Sequence, residues 1–260
     1  MKNNSMKSLD TLERNQQLAD PQTGAVPLTA ASTTQLLDEL LASAGHGTFA
    51  FDLDSTLLNN RPRNAVIMSD FGVQQNEPLL ASATAEHFTE WSARKAMLKT
   101  GLPITTVKRL LDPYLVYWSE RFFSSEYCQH DTGIPGASEF VTSVRDHGGT
   151  ICYLTGRDEG MRAGTQSSLE KLGFPIPGSD GVRLLMKPDK DHSDDLFKAE
   201  TLQKLAATGP VCAAFDNEPT HINSYRTAFP NAVCVHLLTD HSMRDVKLLA
   251  NIVSISNFVR

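Results

Sequence analysis

The sequence predicts an α/β fold in which a doubly wound parallel sheet carries a helical insertion. From residue 131 onward, short apolar stretches alternate with amphipathic stretches of helical period. Strands separated by single helices form parallel sheets, because each crossover returns the chain to the same edge. Between residues 59 and 131 the alternation stops and only helical patterns remain. A chain of 260 residues is long enough for such a core and its insertion.

The first part of the chain is expected to hold one helix and one strand. Residues 1–30 are rich in Asn, Gln, Ser and Thr, which favours a flexible N-terminal lead-in. Leucines at helical spacing then predict a helix from Thr33 to Ala44, with Ser32 or Thr33 as its N-cap. The apolar run from Thr48 to Asp54 predicts the first strand.

The insertion contains no stretch typical of a strand. Apolar residues around Trp91 suit one helix, and a second is expected to begin at Asp112 and Pro113 as N-cap and first helical residue. An insertion placed directly after a pair of acids can cover a site as a lid.

The remaining elements follow from the alternation. Helices are expected from Ala137 to Gly148, up to Gly173, from Asp194 to Ala207 behind Ser193 as N-cap, and from Pro219. The strands between and after them are Thr150–Leu154, Val182–Met186, Val211–Phe215 and Ala232–Leu238.

Composition excludes several classes of partner. The chain has 24 basic and 30 acidic residues and a net charge of −6, which argues against nucleic-acid or anionic-membrane surfaces. It has no apolar run of membrane-spanning length and no apolar core of a secretory signal near its start. The four cysteines lack Cys-x-x-Cys spacing, which favours reduced thiols in a cytoplasmic protein.

Polar side chains stand where four of the predicted strands end. Asp52 and Asp54 follow the first strand, Thr155 the second, Lys187 the third and Asp216 the fourth. The carboxyl ends of parallel strands share one edge, so these groups should converge. A nucleophilic carboxylate, a hydroxyl, an ammonium and acids for a divalent metal suit attack on a phosphate. For the first two acids alone, a strand exit with solvated carboxylates is the alternative.

The order of these motifs resembles the haloacid dehalogenase superfamily, which consists mostly of phosphatases. The similar segments are Asp52-Leu53-Asp54-Ser55-Thr56, Thr155-Gly156, Lys187 and Asp216-Asn217-Glu218. The resemblance covers residues 48–238. It implies a Rossmann-like core formed by residues 31–58 and 132–260, with residues 59–131 as a helical cap.

The resemblance also implies roles for individual residues. Asp52 would be the nucleophile that forms an aspartyl-phosphate, and Asp54 would protonate the leaving group and then activate water. Mg²⁺ would be held by Asp52, the backbone carbonyl of Asp54, Asp216 and Asn217. The groups expected to bind or orient the phosphate are Ser55, Thr56, Thr155, Gly156 and Lys187.

Three assignments stay open at this point. The neighbour of Asp216 is Asn217, where the family often has a second aspartate, so either Asn217 or Glu218 would assist at the metal. Arg157 either contacts the substrate or has a structural or rim role. Arg61 either meets an anionic substrate or is a solvated loop residue.

These observations predict a Mg²⁺-dependent phosphomonoester hydrolase acting on a small phosphorylated metabolite. A phosphotransferase or mutase would use the same aspartyl-phosphate with an acceptor hydroxyl in place of water. A binding or regulatory module that retains the fold without catalysis is the third alternative, and the intact set of acids argues against it.

Overall fold

A six-stranded parallel sheet forms the centre of the molecule. The computed structural model describes residues 9–242 and 244–260. The sheet strands are β1 Thr48–Phe51, β4 Thr150–Asp158, β5 Val182–Lys187, β6 Val211–Asp216, β7 Val233–Leu237 and β8 Ile252–Ile255. Their order across the sheet is β5-β4-β1-β6-β7-β8, and every neighbouring pair is parallel. The α/β fold with a parallel sheet is confirmed.

Helices cover both faces of this sheet because side chains alternate along each strand. In β1, Phe49 and Phe51 join the larger apolar cluster, while Ala50 joins a second cluster on the opposite face. The larger cluster includes residues of the helices α1 Ala30–Ala42, α6 Ala137–Asp146 and α7 Arg162–Lys171. The second cluster includes residues of the helices α8 Asp194–Ala206 and α9 Pro219–Ala228.

The insertion lies between β1 and α6 and has an apolar cluster of its own. It begins and ends in a short antiparallel pair, β2 (Leu58–Asn59) and β3 (Thr132–Gly133). Its α-helices are α2 Arg61–Gln74, α3 Pro78–Ala81, α4 Ala93–Lys99 and α5 Ile104–Phe122. Met68, Leu110 and Tyr114 are among the residues buried between these helices. The helical content agrees with the sequence pattern, and the division into core and cap domains stays a prediction.

Helix α5 begins earlier than the sequence predicts. It starts at Ile104, so Pro113 lies inside the helix instead of at its first position. An internal proline removes one backbone hydrogen bond. The burial of Val107 and Tyr114 on either side of it holds both halves of the helix against the same apolar cluster. Helix α1 also starts earlier, at Ala30, and its N-cap is Thr29, whose hydroxyl accepts a hydrogen bond from Ser32 N at 3.3 Å.

The N-terminal segment is packed, and the expectation of a flexible lead-in is wrong for residues 9–29. Leu12 and Leu28 are buried in the larger apolar cluster. The backbone of Leu28 donates to Ser254 O at 2.7 Å, which extends the sheet beyond β8. The segment therefore covers an edge that would otherwise present unpaired backbone groups. Residues 1–8 of the predicted lead-in lie outside the described residues.

No helix in the described part of the chain is long and apolar enough to span a bilayer.

Candidate active site

The site is built around two aspartates that follow neighbouring strands. Asp52 comes directly after β1, and Asp216 is the last residue of β6, the strand beside it. Both carboxylates are buried. The ammonium of Lys198 joins them, since its Nζ donates to Asp52 Oδ1 at 2.8 Å and to Asp216 Oδ2 at 2.6 Å. The predicted meeting of strand ends therefore brings two acids onto one cation.

Lys198 occupies the position that the sequence analysis gave to Lys187. Lys187 closes β5, but its Nζ donates to His192 O at 3.0 Å and pairs with Asp194 Oδ1 at 2.7 Å. The structure shows no contact between Lys187 and Asp52 or Asp216. The prediction that Lys187 takes part in catalysis and phosphate binding is therefore wrong. The reason is that β5 lies two strands away from β1, with β4 between them.

A signal for Lys198 was present in the sequence. Lys198 precedes Thr201, Leu202 and Leu205 by three, four and seven residues, which is the spacing of one helix face. All four are buried against the sheet. A lysine on the buried face of an amphipathic helix requires a compensating acid, and here it has two.

Burial and charge act in opposite directions on this triad. Burial raises the pKa of Asp52 to about 6, with Lys198 opposing that rise and Asp216 adding to it. Burial also works to raise the pKa of Asp216, but Lys198 and His221 hold it well below its ordinary value. The two acids in turn raise the pKa of Lys198 against the effect of its burial. Two ionised carboxylates and one ammonium give the triad a net charge of −1.

Asp54 faces a different environment, dominated by arginines. Arg157 Nη2 donates to Asp54 Oδ1 at 2.6 Å and to Asp131 Oδ2 at 2.7 Å. Arg63 Nε donates to Asp131 Oδ1 at 2.8 Å, and its Nη2 lies 3.5 Å from Asp54 Oδ1. Asn60 Nδ2 bridges both carboxylates, at 2.8 and 3.0 Å. The group of Asp54, Asp131, Arg63 and Arg157, here called the arginine cluster, is electrically balanced.

The arginine cluster sets the protonation state of Asp54. Burial works to raise its pKa, but the charge and hydrogen bonds of Arg157, with Arg63 and Asn60, lower it to about 2. Asp54 is therefore ionised at neutral pH. Arg157 is buried, which excludes the predicted position on the rim of the site. The pairing of Arg63 with Asp131 was not found from the sequence, because the two residues lie 68 positions apart.

The turn after β1 brings the first motif together. Ser55 has a left-handed backbone, with φ of 60°, and its carbonyl accepts a hydrogen bond from Thr239. Thr56 is fully buried, and its Oγ1 lies 2.9 Å from Asp52 Oδ2 and 3.1 Å from Asn217 Oδ1. Thr56 thus positions the Asp52 carboxylate, while Ser55 lines the open cleft above it.

The second motif, Thr155-Gly156, forms a closely packed turn. Thr155 is fully buried, and its Oγ1 accepts a hydrogen bond from Arg157 N at 3.2 Å. Gly156 lines the cleft, and a β-carbon at this position would lie 2.7 Å from Asp194 Oδ2. A side chain at this position would displace the Asp194 carboxylate, and the hydroxyl of Thr155 orients the loop that carries Arg157.

The residues after Asp216 divide between two tasks. Asn217 reaches the Asp52 side of the site through Thr56, and its Nδ2 donates to Asp240 O at 2.6 Å. Glu218 instead accepts hydrogen bonds from the backbone and side chain of Ser242, at 2.9 and 2.8 Å. Of the two, the geometry favours Asn217 as the helper of Asp216.

Arg61 does not extend freely into solvent. Its Nε and Nη2 donate to the carboxylate of Asp240 at 2.8 and 2.7 Å. This pair links the first turn of α2 to the loop that Asn217 and Glu218 also hold. Arg61 thus opens α2 and is ion-paired, with its side chain 37% exposed, and its contact with an anionic substrate stays a prediction.

A cleft of about 210 Å³ opens above these groups. Its floor includes Asp52, Asp54 and Lys198, and its roof includes Trp91 and Phe122 from the insertion. The cleft thus lies between the sheet edge and the helical insertion, with charged groups below and aromatic groups above.

The donor set agrees with a magnesium ion and not with an all-protein metal cage. In the described ranges, no group of three or more His, Cys, Asp or Glu side chains is placed to hold a metal. Mg²⁺ is commonly held by one or two carboxylates together with water and substrate phosphate. Asp52 and Asp216 supply two carboxylates, and the excess negative charge of the triad favours a cation.

One protein-family model matches part of the chain. The family model described as HAD superfamily, subfamily IIIB (acid phosphatase) matches residues 115–212. This range includes the second motif and Lys198, and it ends before Asp216. A search of curated proteins found no match.

Solved structures with similar folds include several hydrolases. A class C acid phosphatase from Bacillus anthracis, with tungstate bound, is 18% identical over 71% of this chain and 59% of its own, with a TM-score of 0.39. A hydrolase from Pseudomonas syringae is 20% identical over 74% of this chain and 85% of its own, with a TM-score of 0.40. A HAD-superfamily hydrolase from Ehrlichia chaffeensis is 12% identical over 81% of this chain and 91% of its own, with a TM-score of 0.47.

Residues 115–212 are therefore similar to the HAD-superfamily acid phosphatases of subfamily IIIB. The parallel sheet, with the ordered motifs on its carboxyl edge, agrees with that similarity.

Proposed function

We propose that this protein is a Mg²⁺-dependent phosphomonoester hydrolase that works through an aspartyl-phosphate on Asp52. The observation that carries the proposal is the triad of Asp52, Asp216 and Lys198 on the floor of a cleft. A carboxylate nucleophile beside a fixed cation suits phosphoryl transfer through a covalent intermediate.

In the first step, a carboxylate oxygen of Asp52 attacks phosphorus and the bond to the leaving oxygen breaks. With a pKa of about 6, Asp52 is mostly ionised at neutral pH and can act as the nucleophile. Lys198 holds the carboxylate in place and offsets charge as it develops on the phosphoryl oxygens. Bound Mg²⁺, held by Asp52, the backbone carbonyl of Asp54, Asp216 and Asn217, would neutralise further phosphate charge.

In the second step, water attacks phosphorus, the bond to the Asp52 oxygen breaks and releases phosphate, and Asp54 takes up the proton that water loses. The arginine cluster keeps Asp54 ionised and therefore ready to accept it. For Asp54 to donate a proton to the leaving group in the first step, its pKa has to rise. The negative charge of a bound phosphate acts in that direction.

The size of the cleft supports a small phosphorylated molecule as the substrate. A volume of about 210 Å³ under a helical insertion has room for a phosphate and a short organic group. A nucleic acid or a folded protein would meet the insertion before its phosphate reached Asp52.

The test is hydrolysis of phenyl phosphate with Mg²⁺, beside an EDTA control and the Asp52→Asn variant. The matched control is Asp38→Asn, because Asp38 lies on α1 with its side chain 59% exposed and paired with Arg260. We expect turnover that vanishes with EDTA and with Asp52→Asn and persists with Asp38→Asn. Comparable turnover in Asp52→Asn would exclude the covalent mechanism, and product analysis with added alcohols would reveal a phosphotransferase.

A further inference from the structure

His236 is a buried titratable residue that the proposed mechanism does not use. It lies near the carboxyl end of β7 and is fully buried. Within the sheet it is the register partner of Asp216 on β6 and of Ser254 on β8. Side chains alternate along each strand, so residues in register project from the same face of the sheet. The three residues therefore form one row across the sheet, and the row ends at an acid of the candidate active site.

Both ring nitrogens of His236 have a partner. Nε2 lies 3.0 Å from the carbonyl oxygen of Asn217, and Nδ1 lies 3.3 Å from Ser254 Oγ. Burial lowers the pKa of His236 to about 4, so the ring is neutral at pH 7 and has a single N–H. A carbonyl oxygen can only accept a hydrogen bond, so Nε2 donates to Asn217 and Nδ1 accepts from the Ser254 hydroxyl. The two partners thus fix one tautomer, with its donor directed at Asn217.

The carbonyl that His236 binds belongs to the peptide group between Asn217 and Glu218. The N–H of that same peptide group donates to Asp216 Oδ1 at 2.9 Å. A peptide group is planar and rigid, so a hydrogen bond at its carbonyl also sets the direction of its N–H. Hydrogen bonds joined in series in this way also polarise and strengthen one another. His236 therefore acts on the Asp216 carboxylate through one rigid peptide group.

This peptide group helps to decide how Asp216 presents its oxygens. Oδ1 accepts from the N–H of Glu218, and Oδ2 accepts from Lys198 Nζ at 2.6 Å. An ionised carboxylate has about four acceptor positions, so positions remain on both oxygens for a cation. The carboxylate cannot rotate without losing these two hydrogen bonds. The direction of its remaining positions is therefore set by Lys198 on one side and by the peptide that His236 holds on the other.

We propose that His236 is a positioning residue for the metal site. Through the Asn217 carbonyl, it holds the Asp216 carboxylate in the orientation that receives Mg²⁺. Residues that orient metal ligands in this way typically change metal affinity or activity by about 10–100-fold when they are replaced. This inference rests on the proposed function, which assigns Mg²⁺ to Asp216. A histidine that only filled space in the sheet would change stability and leave Mg²⁺ binding unaltered.

The test compares His236→Gln with His236→Met. The amide N–H of glutamine can replace the Nε2 donor, whereas methionine has a similar length and no donor. Both variants lose the imidazole ring, so the difference between them reports the hydrogen bond to Asn217. Cys234→Ala is the packing control, because Cys234 is fully buried on the same strand and face, two residues before His236.

The rise of melting temperature with Mg²⁺ concentration measures the Kd for Mg²⁺ without substrate. The Kd should rise about tenfold or more in His236→Met. It should recover most of the wild-type value in His236→Gln and stay unchanged in Cys234→Ala. At saturating Mg²⁺, the KM for phenyl phosphate should be the same in all four proteins. Equal Kd values in the two His236 variants, or an equal loss in Cys234→Ala, would overturn the proposal.

Ser254→Ala provides a second variant in case His236→Met does not fold. It leaves Nδ1 without its donor, so the ring can turn or change tautomer, and the Kd for Mg²⁺ should rise severalfold. An unchanged Kd in Ser254→Ala would then refute the role of His236.

The same measurements separate this inference from the proposed function. If the wild type does not hydrolyse phenyl phosphate but His236→Met binds Mg²⁺ more weakly than His236→Gln, the proposed function fails and the role of His236 stands. If the wild type hydrolyses phenyl phosphate with Mg²⁺ and the two variants bind Mg²⁺ equally, the inference about His236 fails alone. A wild-type protein whose melting temperature does not respond to Mg²⁺ would also overturn this inference.

Discussion

Replacing Lys198 by methionine removes the cation between two buried carboxylates and keeps most of the side-chain volume. Asp52 and Asp216 would then face each other without the ammonium that lies 2.8 and 2.6 Å from them. Removing one partner of a buried ion pair lowers the free energy of unfolding by about 3–5 kcal/mol, because an uncompensated charge remains. We expect a loss in this range at pH 7 without bound metal.

The loss should depend on pH in a defined direction. The folded-state pKa of Asp52 is already raised to about 6, and removing Lys198 takes away a cause that lowers it. The folded variant then binds more protons than the unfolded chain across pH 5–7, so its stability falls as pH rises. Relative to the wild type, Lys198→Met should therefore recover stability when the pH is lowered from 7 to 5.

Urea unfolding at both pH values measures these free energies, with Lys187→Met as the matched variant. Lys187 pairs with Asp194, whose side chain is 51% exposed, so its removal should cost no more than about 1 kcal/mol. Phenyl phosphate turnover should fall sharply in Lys198→Met and stay near the wild-type value in Lys187→Met. The assignment of Lys198 would be refuted if Lys187→Met lost as much activity, or if Lys198→Met unfolded at the same urea concentration as the wild type.

Three further predictions follow from the buried groups. Arg63→Met should lower the free energy of unfolding by about 3–5 kcal/mol in urea titrations, since Asp131 stays buried with one cation fewer; the exposed Arg162→Met should have little effect. Leu12→Ala should cost about 2 kcal/mol or more, because Leu12 packs in the main apolar cluster, and Leu18→Ala, with Leu18 51% exposed, provides the control. Asp54 has a folded pKa of about 2 against an ordinary value of 3.8. Its contribution of about 2 kcal/mol is present above pH 4 and should disappear as the pH falls toward 2, so the melting temperature of Asp54→Asn should decline less over this interval.

The sequence predicts the sheet well because its strands carry their own signal. Short β-branched and aromatic runs between amphipathic helices indicate parallel strands without knowledge of distant contacts. The same argument places Asp52 and Asp216 at one edge, where the structure has them. Strand β8 is the exception, since Ile252–Ile255 follows an irregular loop instead of a helix.

The sequence predicts the cations of the site less well, and the reason is geometric. A strand end indicates the edge of the sheet and says nothing about which side chain reaches across it. Lys187 is at such an end and points to its own loop, whereas Lys198 reaches the acids from the buried face of a helix. Arg63 and Asp131 are paired only because the two ends of the insertion meet.

The N-terminal segment shows a related limit. Its composition is that of a solvated chain, and few apolar residues suggest that it packs. Two of its leucines pack in the main apolar cluster, and its backbone pairs with Ser254 at the edge of β8, which offers hydrogen-bonding groups that any sequence can use.

The antiparallel pair of β2 and β3 makes the helical insertion replaceable as one segment. Asn59 and Thr132 are paired neighbours, so the chain leaves and re-enters the sheet domain at almost one point in space. A two-residue turn could close that gap, and the intervening segment could be excised or replaced by a different one, as a cassette. Such an exchange removes Arg63 and Asp131 together, and the ion pair of Asp54 with Arg157 remains behind in the recipient. Recombination between relatives could then alter which molecules reach Asp52 while the sheet itself stays unchanged.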